Sequence, residues 1–235
     1  CFEPFVRFTR DAGVKRFLYA SSSSVYGVKD EPNVHEKMTL EPLTDYSIYK
    51  AKCEDILQSF TTVDFTTVVL RPATVCGYSK RQRLDVVVNI LTNLAYHKNE
   101  ITVLGGTQLR PNIHIDDMTS AYIKILEAPR RLISGEIFNV GFENKSVYDL
   151  AETVKILIGN EVELIHRDTD DNRSYHISSE KIKRVLGFVP QKKVKDAILD
   201  LKSVFDKRLL IDPLENELFF NLKRMKTYEL ELLSK

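Results

Sequence analysis

Apolar runs typical of short buried strands alternate along this chain with segments whose apolar residues recur at helical spacing. The strand-like runs lie at Arg16 to Ala20, Phe65 to Leu70, Ile101 to Leu104, IHIDDM, Glu136 to Val140 and Glu163 to His166. Strands that alternate with helices are the signature of a parallel α/β sheet. The order of these patterns therefore predicts an α/β fold.

The helical patterns fill the segments between the strand-like runs. Capping residues support two of them: Asp45 begins a helix that runs to about Phe60, and Ser146 with Asp149 begins a later one. The other predicted helices are FEPFVRFTRDAGVKR, Leu84 to Ala95, Met118 to Leu126, Ser178 to Leu186 and Val194 to Lys207. The segment GGTQLRP is predicted to be a loop.

A cluster of serines directly follows the first strand-like run, and a tyrosine and a lysine lie further on. Small polar residues at the carboxyl end of a buried strand occupy the place where open α/β sheets bind ligands. Tyr46 and Lys50 are four residues apart, so on a helix they share one face. An ammonium beside a phenol favours the phenolate, which makes Tyr46 a candidate general base. A serine hydroxyl can bind the same substrate oxygen and orient it for hydride transfer.

Each of these features also has a simpler interpretation. A lysine four residues after a tyrosine is often one whose stem covers a half-buried ring, and a serine run is often a flexible turn. The apolar run immediately before the serines favours the catalytic interpretation. His114 lies in an alternating strand without a second histidine at ligand spacing, so we predict no metal site.

Charge and cysteine content argue against several classes of partner. The formal net charge is +1, which gives no electrostatic basis for binding nucleic acid or an anionic membrane. No run approaches the apolar length that crosses a bilayer. Three cysteines at no metal-like spacing, without a signal peptide before them, predict a protein of the reducing cytoplasm.

Glycine-rich turns between a strand and a helix, which cradle the pyrophosphate of a dinucleotide, are missing from the sequence. Only nine glycines are present, and the adjacent pair Gly105 and Gly106 belongs to a hairpin-like loop. The chain also begins at Cys1, within a helical pattern. We therefore expect a fragment that lacks its N-terminal, dinucleotide-binding part.

Six segments of the sequence carry a resemblance to one known family. The two most specific are VKRFLYASSSSVYG, a strand followed by serines, and DYSIYK, a Tyr-x-x-x-Lys helix. The softer ones, which reach about Pro190, are LRPATVCG, GGTQLRPNIHIDDM, GEIFNVG and DNRSYHISSEKIKRVLGFVP. Together they resemble the extended short-chain dehydrogenase/reductases, and within them the NAD-dependent epimerase/dehydratase family acting on nucleotide sugars. The resemblance implies the C-terminal part of a Rossmann-like, doubly wound parallel sheet with a smaller mixed α/β substrate-binding lobe.

The resemblance also implies a role for each matching position. Ser22, Tyr46 and Lys50 are the implied catalytic residues, with Tyr46 as the base and Lys50 holding the nicotinamide ribose. The positions implied to contact NAD are Ala20, Tyr46, Lys50, Pro72 and Ala73. The positions implied to contact a nucleotide-diphosphate sugar are Ser22, Thr74, Arg110, Arg173 and Tyr175. A guanidinium can bind a diphosphate in bidentate fashion, but Arg110 and Arg173 could also be solvated surface charges.

The implied organisation has three parts. Residues 1–72 form the C-terminal part of the NAD-binding domain and carry the catalytic residues. Residues 73–212 form the substrate-binding lobe, interleaved with the last strands of the Rossmann sheet. Residues 213–235 are charged, with Phe219 and Phe220 as the only large anchors, which predicts a loosely attached helix or a partner-docking segment. The complete protein is expected to be a homodimer.

Two departures from the family's pattern bear on the reaction. Ser23 and Ser24 occupy positions where dehydratases and decarboxylases of the family usually have acidic residues, and elimination needs an acid and a base. Thr74 stands where many relatives have an asparagine that touches the sugar or its phosphate. The resemblance, with serines in place of these acidic residues, therefore implies an NAD-dependent nucleotide-sugar epimerase. Two alternatives remain: a reductase or 4,6-dehydratase with the same residues, and a non-catalytic nucleotide-sugar-binding protein.

Overall fold

A computed structural model describes residues 1–169 and 174–233 of the chain. Its strands are β1 (Arg16–Ala20), β2 (Thr66–Pro72), β3 (Thr74–Cys76), β4 (Glu100–Leu104), β5 (Leu109–His114), β6 (Glu136–Val140), β7 (Glu143–Ser146) and β8 (Glu163–Arg167). Its helices are α1 (Phe2–Asp11), α2 (Asp45–Ser59), α3 (Val87–Lys98), α4 (Ile115–Glu127), α5 (Arg130–Ile133), α6 (Val147–Ile158), α7 (Glu180–Leu186), α8 (Val194–Asp206) and α9 (Asn221–Leu233). Strands and helices alternate as predicted.

A parallel sheet with strand order β1-β2-β6 forms the first layer. Its central strand is buried on both faces, since Val68 and Leu70 pack into one core cluster and Val69 packs into another. The first cluster includes residues of α4 and α7, and the second includes residues of α1 and α2. Helices thus cover both faces of the sheet, as in doubly wound folds, and the predicted fold class is confirmed.

The edge of this sheet is formed by β1, which pairs with β2 on one side. Within the described residues no strand pairs with its other side. The strand is less buried than its apolar run suggests, because Arg16 to Tyr19 are partly buried and Ala20 is exposed. The sequence correctly predicted the strand but not its position at the edge.

Two smaller sheets lie outside the first layer. One is mixed, with strand order β3-β5-β7, where β3 is parallel and β7 antiparallel to β5. The other pairs β4 with β8 in parallel. A separate core cluster joins β4 to α3, α6 and α8. This smaller mixed α/β region lies where the resemblance implies a second lobe, whose role in substrate binding stays a prediction, and β6 returns from it to the first sheet.

Several element boundaries differ from those predicted. Thr44, rather than Asp45, caps α2, since its side chain accepts a hydrogen bond from Ser47 N and forms a capping box with Ser47. The segment predicted as the loop GGTQLRP contributes residues 109–111 to β5, where they pair with polar β7. His114 ends that strand and caps α4 through its own side chain, so the helix begins at Ile115 rather than Met118.

Two predicted helix ends are confirmed in detail. Ser146 and Asp149 form the capping box that begins α6. Gly187 ends α7 with a φ of +62°, in the left-handed region where glycine avoids the steric cost of a Cβ atom. The helix itself begins at Glu180, two residues later than Ser178.

The C-terminal segment is attached more firmly than its charged composition predicts. Phe219 and Phe220 pack against a small buried cluster of Leu84, Leu201 and Phe205. Leu84 N donates to Phe219 O at 2.8 Å, and Asn93 Nδ2 donates to Pro213 O at 2.8 Å. These contacts hold residues 213–220 against the lobe, and α9 continues from them with exposed Leu222, Met225 and Tyr228. No helix of the described segments has the length and apolar character to cross a bilayer.

Candidate active site

The serine cluster continues directly from the carboxyl end of β1. Ser21 N donates to Leu70 O at 2.8 Å, which extends the pairing of β1 with β2 by one step. Ser22 then begins a single 3₁₀ turn over Ser23–Tyr26, and its side chain accepts a hydrogen bond from Ser24 N at 3.2 Å. Its hydroxyl also lies 2.9 Å from the Ser24 hydroxyl. Ser21, Ser23 and Ser24 are buried, so this segment is a packed turn rather than a flexible one.

Helix α2 brings Tyr46 and Lys50 to the same end of β1. Lys50 Nζ donates to Ala20 O at 2.5 Å and lies 4.9 Å from the centre of the Tyr19 ring. It lies 5.6 Å from the centre of the Tyr46 ring, within reach of a cation–π interaction. Tyr46 is 58% exposed, so its hydroxyl can meet a ligand. The structure therefore brings these two predicted catalytic residues together at the carboxyl end of the first strand.

Burial distinguishes Tyr46 from the phenols around it. Burial and a hydrogen bond with Cys53 raise the pKa of Tyr19, and burial raises the pKa of Tyr122 to about 12. Both phenols are therefore harder to deprotonate than a free tyrosine side chain. Burial also lowers the pKa of the Lys50 ammonium, although the nearby acidic groups of Cys53 and Glu54 oppose this shift. Tyr46 remains as the exposed phenol beside a partly desolvated ammonium.

A buried polar network that the sequence analysis missed lies directly behind this site. Glu54 is 2% exposed and forms an ion pair with Arg71, which is 3% exposed, at an Nη2–Oε2 distance of 2.6 Å. Arg71 Nη1 donates to the Tyr26 hydroxyl at 2.8 Å, and Tyr26 in turn donates to Asn139 Oδ1 at 2.7 Å. The four-residue spacing of Tyr46, Lys50 and Glu54 was the signal that could have revealed it, because it places all three on one helix face.

The positions implied to contact the nicotinamide lie at the carboxyl ends of adjacent strands. Ala20 is exposed at the end of β1, and Pro72 ends β2. Ala73 N donates to Val140 O at 2.8 Å, and Ala73 itself is 4% exposed. Thr74 begins β3 opposite Asn112 of β5. The strands thus bring these positions to one region, while the roles of the individual side chains remain predictions.

The predicted diphosphate clamp is only partly within the described residues. Arg110 is partly buried on β5 and lies opposite Lys145 of β7, which places two cationic side chains in adjacent strands. Its Nη1 donates to Leu109 O at 3.2 Å. Tyr175 is 6% exposed and packs into the core cluster beside the first sheet. Arg173 lies outside the described residues, so its part in a clamp stays a prediction.

His114 serves as a helix cap. Its Nδ1 accepts a hydrogen bond from Asp116 N at 3.1 Å, which leaves Nε2 to donate to Asp200 Oδ2 at 3.1 Å. Possible ligand atoms of His114, Asp116 and Asp200 lie within 4.8 Å of one another. A search of the sequence for a second histidine overlooks this cluster. Lys192 Nζ already lies 2.5 Å from Asp116 Oδ2 and neutralises that carboxylate. The prediction that the chain holds no metal remains a prediction.

Comparison with known proteins places this geometry in a family. A sequence model of the NAD dependent epimerase/dehydratase family matches residues 4–141, more than half of the chain. The chain belongs to this family. The resemblance inferred from its serine strand and Tyr-x-x-x-Lys helix is thereby confirmed.

Two curated relatives illustrate the range of reactions in the family. The chain is 28% identical over 194 residues to an uncharacterised UDP-glucose epimerase of Bacillus subtilis, with 80% of this chain and 60% of that protein covered. It is 30% identical over 207 residues to the dTDP-D-glucose 4,6-dehydratase of Bos taurus, with 82% of this chain and 56% of that protein covered. The chain thus spans less than two thirds of the length of either relative.

A solved structure supports the fold. The UDP-glucuronic acid 4-epimerase of Bacillus cereus, solved with UDP-glucuronic acid and NAD, superposes with a TM-score of 0.79 at 24% sequence identity. The superposition covers 89% of this chain and 67% of that one. At this identity the likeness establishes the shared Rossmann-like architecture.

The residues at the end of β1 suit NAD, the cofactor of the family. An ammonium has three N–H donors, and the Ala20 carbonyl accepts one of them from Lys50. Donors therefore remain for the vicinal hydroxyls of a ribose, and the exposed Tyr46 phenol lies on the same helix face. This donor set fits the nicotinamide-ribose end of the cofactor.

Proposed function

We propose that this chain carries the catalytic and sugar-binding residues of an NAD-dependent nucleotide-sugar epimerase. The observation that carries the proposal is the placement of Tyr46 and Lys50 against the carboxyl end of β1, where Lys50 binds the Ala20 carbonyl and Ser22 begins the next turn. Ligands of open α/β sheets bind at this end of the strands. A general base, an ammonium and a hydroxyl within one turn of the strand end suit chemistry at a carbinol.

The chain's own residues have distinct roles in this reaction. Ser22 and Tyr46 hold the sugar hydroxyl, and Tyr46 takes its proton as the carbon is oxidised. Lys50 holds the nicotinamide ribose, while Ala20, Pro72 and Ala73 line the nicotinamide side. When bound, NAD supplies the hydride acceptor and donor. Tyr46 would return the proton to the sugar oxygen once the carbonyl carbon has been reduced on its opposite face, which completes the inversion.

A 4,6-dehydratase is the second candidate, because the Bos taurus relative carries that name. Elimination of water needs a positioned acid and base besides the tyrosine. Ser23 and Ser24 occupy the positions where acidic residues are expected for this role, and both are buried. Ser24 is further held by the Ser22 hydroxyl. This serine pair favours the epimerase over the dehydratase.

Incubation of the complete protein with NAD and a panel of UDP- and dTDP-sugars tests the proposal, with the products identified by NMR. An epimer formed without net reduction of NAD and without loss of water is the expected result. A 4-keto-6-deoxy product identifies the dehydratase, and net NADH turnover identifies a reductase. Binding of a nucleotide sugar without any product identifies the non-catalytic binding protein.

Arg110 separates a nucleotide-sugar enzyme from a reductase that acts on uncharged alcohols. If Arg110 grips the diphosphate, Arg110→Ala removes a charge-assisted contact worth about 1.5–3 kcal/mol. The KM for the nucleotide sugar is then expected to rise by about one to two orders of magnitude, with the KM for NAD unchanged.

Two variants control this measurement. Arg110→Lys keeps the charge but loses the planar fork, so it should restore only part of the affinity. Arg131→Ala removes an exposed arginine of α5 and is expected to leave both constants unchanged. If Arg110→Ala has the same steady-state constants as the parent, the assignment of a nucleotide sugar as the substrate is contradicted.

We further propose that the complete protein is a homodimer and that it works in the cytoplasm. The outward face of α1 supports the dimer, because Phe5 and Phe8 are 57% and 73% exposed while Val6 of the same helix is buried. Tyr49 of the adjacent α2 is 64% exposed, and a second copy of this aromatic surface would cover both helices. Cys1, Cys53 and Cys76 are free thiols, which suits a reducing compartment; fractionation of the source cells tests the location.

A Phe8→Glu substitution tests the dimer. A charge buried in an apolar interface is costly to desolvate, so the variant is expected to sediment as a monomer under conditions where the parent is dimeric. Val63→Glu, at a position 77% exposed before β2, is the matched control and should stay dimeric. Sedimentation velocity that gives a monomer for the parent, or a dimer for Phe8→Glu, contradicts the proposal.

A further inference from the structure

We propose that Glu54 and Arg71 form a positioning pair that fixes the helix of Tyr46 and Lys50 against the carboxyl end of β1. This inference rests on the proposed function, since it assigns residues that act through the catalytic ones. Neither residue touches the exposed part of the site, because both are almost completely buried. Their effect on the reaction is therefore geometric.

The contacts of Glu54 join three elements at one point. Arg71 of β2 donates from Nε to both carboxylate oxygens at 3.1 Å and from Nη2 to Oε2 at 2.6 Å. Ser21, the residue after β1, donates its hydroxyl to Oε1. One carboxylate thus binds α2 to the ends of β1 and β2 in a directional, bidentate arrangement.

The position of Glu54 on its helix makes these contacts relevant to catalysis. Tyr46, Lys50 and Glu54 follow one another at four-residue intervals, so they form one row along α2. Lys50 donates to Ala20 O, and Glu54 accepts from the adjacent Ser21. Two neighbouring hydrogen bonds thus fix the position of this row of side chains relative to the end of β1.

Stability alone is a weak reason for placing an ion pair here. The desolvation of two buried charges often cancels their attraction, and apolar residues of similar volume are often as stabilising or more so. A buried ion pair fixes the distance and direction between its two partners, which apolar packing does not. Catalytic rates respond steeply to such geometry, since a misplacement of about 1 Å can cost about 10²-fold.

The far side of Arg71 ties the pair to the rest of the sheet. Its Nη1 donates to the Tyr26 hydroxyl, which donates to Asn139 Oδ1 of β6. Asn139 N in turn donates to Glu36 Oε1 at 2.8 Å, and its side chain donates to the Val34 and Ser178 carbonyls. The pair therefore anchors α2 to all three strands of the first sheet.

The double variant Glu54→Leu/Arg71→Met tests the proposal, because it removes both charges while keeping the volume. It is expected to fold with a thermal midpoint close to that of the parent. In the complete protein kcat should fall about 10- to 100-fold, with the KM for the nucleotide sugar little changed. Ile133→Ala is the control for lost stability alone: Ile133 is fully buried in α5, and its loss should lower the midpoint but not kcat.

A second readout follows Lys50 directly and needs no turnover. After reductive ¹³C-methylation of this chain, the Lys50 signal should be separate from that of exposed Lys52 on the same helix, and in the double variant it should move toward the Lys52 position. A folded double variant with the kcat of the parent, or an unmoved Lys50 signal, overturns the proposal. If the parent turns over no nucleotide sugar yet the Lys50 signal moves, the proposed function fails and the positioning of Lys50 by this pair stands.

Discussion

A Tyr46→Phe variant of the complete protein is expected to lose turnover by a factor of ~10² to 10⁴ while remaining folded, because only the hydroxyl that accepts the proton is removed. The side chain is 58% exposed, so loss of one oxygen disturbs little packing. Circular dichroism and thermal unfolding should match the parent. Steady-state kinetics then report the chemical step.

Tyr49→Phe provides a matched control for this variant. Tyr49 lies three residues after Tyr46 on α2, is 64% exposed, and has its ring centre 5.4 Å from Lys52 Nζ. The same atom is removed from the same helix without touching the proposed site, so the rate should be unchanged. A Tyr46→Phe enzyme within a few-fold of the parent would remove Tyr46 as the base, whatever Tyr49→Phe shows.

Arg71→Met alone is expected to lower the free energy of unfolding of the chain by about 3–5 kcal/mol, because it leaves the Glu54 carboxylate buried without its partner. Glu54 is 2% exposed, and within the described residues it would retain only the Ser21 hydroxyl as a donor. A loss of this size is a large part of the ~5–15 kcal/mol that stabilises a typical domain. Urea denaturation followed by circular dichroism measures it.

Adding Glu54→Leu to this variant should restore most of the lost stability. The second substitution removes the stranded charge, and neighbouring residues in one ion pair are expected to be strongly non-additive. Glu54→Leu alone should be about as unstable as Arg71→Met alone, since it strands the guanidinium instead. If either single variant loses less than about 1 kcal/mol of unfolding free energy, the pair behaves like an exposed salt bridge. That result would contradict the burial of this pair.

The central strand of the first sheet could be predicted from the sequence because it is buried on both faces. Every residue of its run from Phe65 to Leu70 is apolar or β-branched, the composition that favours a strand. The short strand β7 has the sequence ENKS and becomes a strand only by pairing with β5. Nothing in its local composition predicts that pairing, because tertiary contacts decide the state of short polar segments.

Site residues could be predicted only where the residue type and the spacing in the sequence together imply a shared location. Tyr46 and Lys50 were found because four-residue spacing implies a shared helix face, and the structure joins them to Ala20. Arg71 directly follows the run Phe65 to Leu70, and the sequence does not show that its guanidinium lies inside the core. Its partner Glu54 comes from 17 residues earlier in the chain, and such pairing depends on how α2 packs on the sheet.

Within residues 1–169 and 174–233, the outer side of β1 has no partner strand. An unpaired strand edge offers a row of N–H and C=O groups to any added strand, and β1 is the strand whose last carbonyl holds Lys50. A strand that joins there, from a neighbouring part of the protein or from another molecule, would lie beside the lysine that is proposed to hold the ribose. A strand added at this edge is therefore expected to affect the proposed ribose site, so extension of the sheet and binding of the cofactor should influence one another.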